Sequence, residues 1–238
     1  GDLAVDNNGR LHLTYYNYNA GLGLQDVRYS TTQIDSVEFI PSILVGITSA
    51  ASEPCDCCAP DLEVSSQGDV YIAFRNNINN IRDHYIVRKM NGVSEFSAAA
   101  PISNSGWYIE YCPSSGPALS VNMNHIAVGY MVGEPNRTYL KYGNLSDLTF
   151  NAEINVNSNA QGNSYQNYSS VVLENNLLHA VWVDNSLGDP DIFYGYTSNS
   201  DNNMFSVQRI NDDNTVGYTD QADPELALFS RILCKTYI

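Results

Sequence analysis

Five segments of this 238-residue chain read alike. Leu3–Val5 followed by Gly9–Tyr15 returns as Leu62–Val64 with Gly68–Phe74, as Leu119–Val121 with His125–Val128, and as Val171–Leu173 with Leu178–Trp182. A last, partial copy is Leu226–Leu228 with Arg231–Leu233. The copies start at residues 3, 62, 119, 171 and 226, so one unit takes between 52 and 59 residues. A repeat of that length must stack against its neighbours to bury both of its faces, which narrows the fold before any single residue is considered.

Each unit carries the same four pieces. A short apolar strand and a turn with Asn or Gly lead into a longer alternating strand. The third strand reads Asp26–Tyr29, Asp83–Ile86, Arg137–Leu140 and Asp191–Tyr194, and the fourth follows a polar turn that closes on Phe39, Phe96, Phe150 or Phe205. Alternation of period two with β-branched and aromatic residues is the signature of strands, and helix signals are nearly absent. Four strands in a tandem unit of this length predict an all-β fold, a β-propeller of four-stranded blades. Solenoid repeats are usually shorter. The predicted blades cover residues 1–58, 59–115, 116–168 and 169–222, with a partial fifth over 223–238, in one domain or a fragment of one.

Eleven basic residues stand against 26 acidic ones, a formal charge of -15. Such a field repels phosphate backbones and anionic headgroups, so neither nucleic acid nor membrane is an expected partner. No apolar run approaches the ~18 residues of a membrane span. The opening residues carry no signal-peptide pattern, so an exported protein would have lost its targeting segment already. An acidic substrate would need a local cluster of the few arginines.

Five cysteines are present, three of them crowded at Cys55, Cys57 and Cys58, with Cys112 and Cys234 far away. The crowd reads as a disulfide knot or as a thiolate site for a soft metal, copper first. Cys58 and Cys112 both stand just ahead of the first strand of adjacent blades, which predicts a Cys58–Cys112 bridge contributing ~2–4 kcal/mol. Asp6–Gly9 and Asn211–Asn214 have the composition of calcium loops without the spacing of one, and turns explain them equally well. No other cofactor is expected.

The turns between third and fourth strands, Ser30–Phe39, Lys89–Phe96, Asn144–Phe150 and Thr197–Phe205, look like eroded copies of the Asp-box, Ser-x-Asp-x-Gly-x-Thr-Trp. The segments Cys57–Leu62, Arg82–Asp83 and Gly106–Leu119 are similar to stretches of exported bacterial proteins of the sialidase-like, Asp-box-repeat type. The resemblance spans nearly all of the chain and implies a secreted, periplasmic or cell-surface propeller that meets a glycan or another extracellular polymer.

Propeller topology puts the interblade connections and the turns between second and third strands on one face, where ligand sites normally lie, and the Asp-box turns on the other. On the first face the resemblance implies three arginines gripping a substrate carboxylate, for which Arg75, Arg82 and Arg137 are the candidates. It also implies a tyrosine nucleophile beside a glutamate, Tyr108 or Tyr111 with Glu110, and an aspartic acid/base, Asp83. Trp107 is a candidate platform for a sugar ring. Asp83 recurs as Asp26 and Asp191, which equally suits a turn-capping role, and Arg75 and Arg82 then read as its ion-pair partners. The Arg-Ile-Pro opening of the sialidases is absent, its nearest equivalent being Phe39–Pro41. The expectation is a module that binds glycan or protein on this face. An exo-glycosidase of sialidase type is the alternative, and a metal-binding cysteine cluster the second.

Overall fold

Residues 70–75 are all buried, although strand alternation sends half of them to each side of their sheet. Val70, Ile72 and Phe74 face one neighbouring sheet, while Tyr71 and Ala73 face another. A strand buried on both faces needs a sheet on either side, and the computed structural model supplies them. It describes residues 1–22, 24–46, 53–160, 162–198, 204–212 and 220–228. The expected partial blade beyond 228, Cys234, Asp213, Asn214 and part of the fourth Asp-box-like turn lie outside the described residues.

Among the described residues, four antiparallel sheets of four strands follow one another along the chain. The first holds β1 (Asp2–Val5), β2 (Leu11–Asn19), β3 (Leu24–Thr31) and β4 (Ile43–Val45). The second holds β5 (Asp61–Val64), β6 (Val70–Arg75), β7 (His84–Lys89) and β8 (Ala100–Pro101). The third holds β9 (Ala118–Val121), β10 (His125–Val132), β11 (Arg137–Asn144) and β12 (Ile154–Asn155). The fourth holds β13 (Gln166–Glu174), β14 (Leu177–Asp184), β15 (Asp191–Ser198) and β16 (Phe205–Arg209). Each sheet pairs its strands in chain order, as a propeller blade does. No helix occurs among the described residues, so none is long and apolar enough to cross a membrane.

Two details differ from the reading of the sequence. β13 starts at Gln166, inside the stretch given to the third blade, because an irregularity in register between Asn167 and Ser170 prolongs the strand beyond its apolar part. Phe39 and Phe150 close isolated bridges to Thr32 and Gly143, and the fourth strands of those blades begin four residues later.

Among the described residues the core is three seams between successive blades. Val27, Tyr29 and Val45 of the first meet Leu62, Val70, Ile72, Phe74 and Val87 of the second. Tyr71, Ala73 and Ile86 meet Ile126, Val128 and Tyr130 of the third. Leu140 and Tyr142 meet Leu178, Trp182 and Phe193 of the fourth. Close approach across the last seam depends on Gly129, where a Cβ would lie 2.7 Å from Ser169 Oγ.

The innermost strands are clasped blade to blade. Asp2 Oδ2 accepts the Leu62 N–H at 3.0 Å, and Asp61 Oδ2 accepts the Leu119 N–H at 2.5 Å. Ser120 Oγ accepts from Leu173 N–H, and Ser170 Oγ from Leu226 N–H, each at 3.0 Å. Residues 223–228 therefore join β1, β5, β9 and β13 around a shared axial cavity of about 640 Å³.

Candidate functional site

One end of the second and third blades gathers nearly every residue singled out from the sequence. Three segments build it: 53–60 leading into β5, 76–83 between β6 and β7, and 102–117 leading into β9. They are sewn together by main-chain bonds, Cys55 N–H to Arg75 C=O at 2.8 Å, Arg82 N–H to Trp107 C=O at 2.8 Å and Ile109 N–H to Asn80 C=O at 3.0 Å. Gly116 permits the closest approach, since a Cβ there would collide with the Ala59 carbonyl oxygen.

Asp83 is buried and receives four hydrogen bonds. Ser103 Oγ–H, Ser105 N–H and Ser105 Oγ–H donate to Oδ1 at 2.7–2.9 Å, and Gly106 N–H donates to Oδ2 at 3.1 Å. The repeated aspartate thus ties down the strand-to-blade segment that follows, and Asp191 does the same with Asn211 Nδ2 at 2.7 Å. Neither Arg75 nor Arg82 pairs with Asp83, so the ion pair expected there is replaced by serine and backbone donors.

The three arginines do not converge. Arg75 is 0% exposed and gives its guanidinium to three carbonyls, Ser115 at 2.9 Å, Arg82 at 3.3 Å and Met131 at 2.7 Å, with the Trp107 ring 5.4 Å from its carbon. Alternation along β6 turns it toward the third blade, where it rivets the seam. Arg82, 4% exposed, reaches Cys55 Sγ at 3.0 Å and Tyr111 C=O at 3.3 Å. Arg137 opens β11 and binds the carbonyls of Asn136, Gly162 and Ser164. Two guanidiniums are sealed inside and the third serves a different loop.

The tyrosines stand in the open. Tyr108 is 56% exposed and donates to Glu110 Oε1 at 2.6 Å; Tyr111 is 55% exposed and donates to Glu134 Oε1 at 2.9 Å. In each pair the carboxylate holds the phenol proton and raises the tyrosine above its ordinary range. Half-buried Trp107 lies beside them, packed on the second seam.

The bridge across this end is Cys57–Cys112, with Cα atoms 6.2 Å apart, and not the expected Cys58–Cys112. Cys58 is buried and turns to Cys55, their sulfurs 2.9 Å apart, which leaves its half-buried neighbour to reach the exposed Cys112. Cys55 Sγ also lies 3.5 Å from Cys57 Sγ. The Cys58 thiol bonded to Cys55, with the Cys57 N–H and the Arg82 and Arg75 guanidiniums, outweighs burial and lowers Cys55 to about 6. Contact with Cys55 and burial push Cys58 the other way. With Cys57 in a disulfide, the cluster offers two thiols to an ion where the sequence suggested three. Sequence reasoning took Cys55 only as a member of the crowd, a disulfide knot or a soft-metal site, although the C-x-x-C spacing of Cys55 and Cys58 is a redox signal in its own right.

Of the two calcium candidates, Asp6 is engaged by Arg10 Nε at 2.7 Å and by the N–H groups of Asn8 and Arg10, a turn closed by an ion pair. The second candidate lies partly outside the described residues.

No protein-family description matches this sequence, and no curated protein matches it. Solved structures are similar in fold. An α-L-arabinanase of Penicillium chrysogenum complexed with arabinobiose superposes with a TM-score of 0.61 at 14% identity, over 87% of this chain and 65% of that one. An α-L-arabinofuranosidase of Fusarium graminearum bound to an iminosugar inhibitor gives 0.64 at 11% identity over the same shares, and an ulvan lyase gives 0.51 at 8% over 92% and 58%. The chain spans less than two thirds of the length of these structures. Their likeness is one of architecture, and together with the four ordered sheets it makes this chain a β-propeller of four-stranded blades.

Proposed function

We propose that this propeller binds a neutral glycan on the rim built by segments 102–117 and 133–136, without hydrolysing it. The observation that carries the reading is the pairing of exposed aromatics with withdrawn arginines. Tyr108 and Tyr111 present their rings on a shallow surface, each oriented by a glutamate, while Arg75 and Arg82 are enclosed. Flat rings with polar edges suit the apolar faces and hydroxyls of a sugar. An anionic sugar would meet Glu110, Glu134 and the overall charge of -15 with no free guanidinium among Arg75, Arg82 and Arg137 to offset them. The fold is shared with proteins described as arabinanase, arabinofuranosidase and ulvan lyase, which supports a glycan partner in general terms. A disulfide in the rim is in keeping with a secreted, periplasmic or cell-surface protein.

One observation favours a second reading, an exo-glycosidase. Tyr108 and Glu110, at 2.6 Å, have the relation of a nucleophile and its base. The deciding experiment offers the protein to an array of neutral and acidic glycans and, in parallel, to fluorogenic glycosides including a sialoside, with Glu110→Gln as control. Retention on neutral glycans without turnover is the expected outcome. Failure of the folded protein to bind any glycan overturns the reading, and turnover lost in Glu110→Gln replaces it with the second.

A further inference from the structure

We infer that Cys55 and Cys58 form a redox-active dithiol that exchanges with the Cys57–Cys112 disulfide beside it, making the tie between the second and third blades a reversible one. Nothing in this inference depends on what the rim binds. It rests on geometry: four sulfurs of one oxidised and one reduced pair are packed into a single corner.

Cys55 lies within reach of the disulfide. Its Sγ is 3.5 Å from Cys57 Sγ, near van der Waals contact with a disulfide sulfur, and 2.9 Å from Cys58 Sγ. Arg82, locked by its Tyr111 carbonyl bond, aims Nη1 at the Cys55 sulfur from 3.0 Å and stabilises negative charge there. The main chain fixes the turn, since Cys55 N–H is bonded to Arg75 C=O and Cys58 N–H to Cys55 C=O. The asymmetry already described, one thiol lowered and its partner raised, is that of a nucleophilic and a resolving cysteine.

The exchange is balanced without any outside oxidant. Cys55 gives its proton to solvent and attacks Cys57 Sγ as the thiolate; the Cys55–Cys57 bond forms as Cys57–Cys112 breaks, and Cys112 leaves as a thiolate that takes a proton from solvent at the exposed rim. Cys58 gives its proton to solvent and attacks Cys55 Sγ; the Cys55–Cys58 bond forms and Cys57 leaves as a thiolate, which is then protonated. The Cys55/Cys58 pair is oxidised by the two electrons that reduce Cys57/Cys112, and two protons pass from the first pair to the second. In the product the bridge lies within one turn, and segment 102–117 is no longer covalently tied to segment 53–60.

The test is differential alkylation of the full chain. Free thiols are capped at low pH with one reagent, and bridged cysteines are capped with a second after reduction. Digestion before Asp56 separates Cys55 from Cys57 and Cys58. Samples are equilibrated in glutathione buffers of graded ratio. The expected result is two isomers of equal oxidation state, with Cys57 and Cys112 becoming free in the same proportion as Cys55 and Cys58 become protected. Cys58→Ser should accumulate a Cys55–Cys57 bridge with Cys112 free, and Cys55→Ser should hold Cys57–Cys112 alone. The wild-type map decides the matter if either variant fails to fold. A wild-type chain that keeps Cys57–Cys112 in every buffer where any bridge survives overturns the inference, and so does the presence of both bridges without exchange. Cys55 and Cys58 that react only after a chelator is added would instead be an ion clip, which overturns it as well.

Discussion

Asp61 of β5 holds the Leu119 N–H of β9 with Oδ2 at 2.5 Å, while its Oδ1 takes the N–H of Leu62 at 2.8 Å. One side chain thus joins two blades at the axis. Leu119 is buried, so Asp61→Ala strands its N–H, a cost of about 1–3 kcal/mol. Asp61→Ser should recover part of this, because Ser170 performs the same service for Leu226. Urea unfolding midpoints of the two variants check the order.

Acidic groups at the axis make stability fall as pH rises. Burial, helped by the charge of Asp2, pushes the Glu63 carboxyl up to about 7, and burial together with Asp2 raises Asp61 too. Between the ordinary carboxylate range and about pH 7 the folded chain therefore binds more protons than the unfolded one, and stability drops across that window. For a partly exposed Glu63 the loss is of the order of 1–3 kcal/mol. Unfolding at pH 5 and pH 8 should show it in the wild type, and Glu63→Gln should flatten the difference. A variant with the same slope as the wild type would remove Glu63 from the explanation.

Arg75 is predicted to be a rivet. Arg75→Ala leaves the carbonyls of Ser115 and Met131 without their donor and opens a cavity at the seam, at a cost of about 2–5 kcal/mol. Arg75→Lys should rescue little, since one ammonium cannot span carbonyls on separate segments as a planar fork does. Thermal unfolding reads both. A ligand-gripping arginine would give the opposite pattern, with unchanged stability and weakened binding.

Much of the architecture was legible because period-two alternation and a repeat spacing are local properties. Leu62–Val64 and Gly68–Phe74 announce β5, the turn and β6 without reference to the rest of the chain. The destinations of side chains were not, because they depend on segments far away in sequence. Nothing near Arg75 indicates that the carbonyls of residues 115 and 131 await it, and nothing near Asp83 names Ser103 and Ser105. The pairing of Cys112 with Cys57 in place of Cys58 turns on a choice between adjacent residues, settled by the contact of Cys58 with Cys55. Residue types thus located the rim, while three-dimensional contacts decided which of its groups remain free to meet a ligand.

Tyr108 and Tyr111 separate the two functional readings. Both are more than half exposed, so truncation should change stability by no more than about 0.5 kcal/mol. If the rings stack on sugar, Tyr108→Ala and Tyr111→Ala each weaken glycan binding by about 0.5–1.5 kcal/mol, roughly two- to tenfold. Tyr108→Phe, which keeps the ring and loses only the bond to Glu110, should then bind nearly as well as the wild type. A nucleophilic Tyr108 predicts the reverse, because the phenylalanine lacks the attacking oxygen and would abolish turnover while leaving binding intact. Glycan-surface affinity and glycoside turnover measured on the same three variants therefore assign the rim, with Tyr108→Phe the variant on which the readings disagree most.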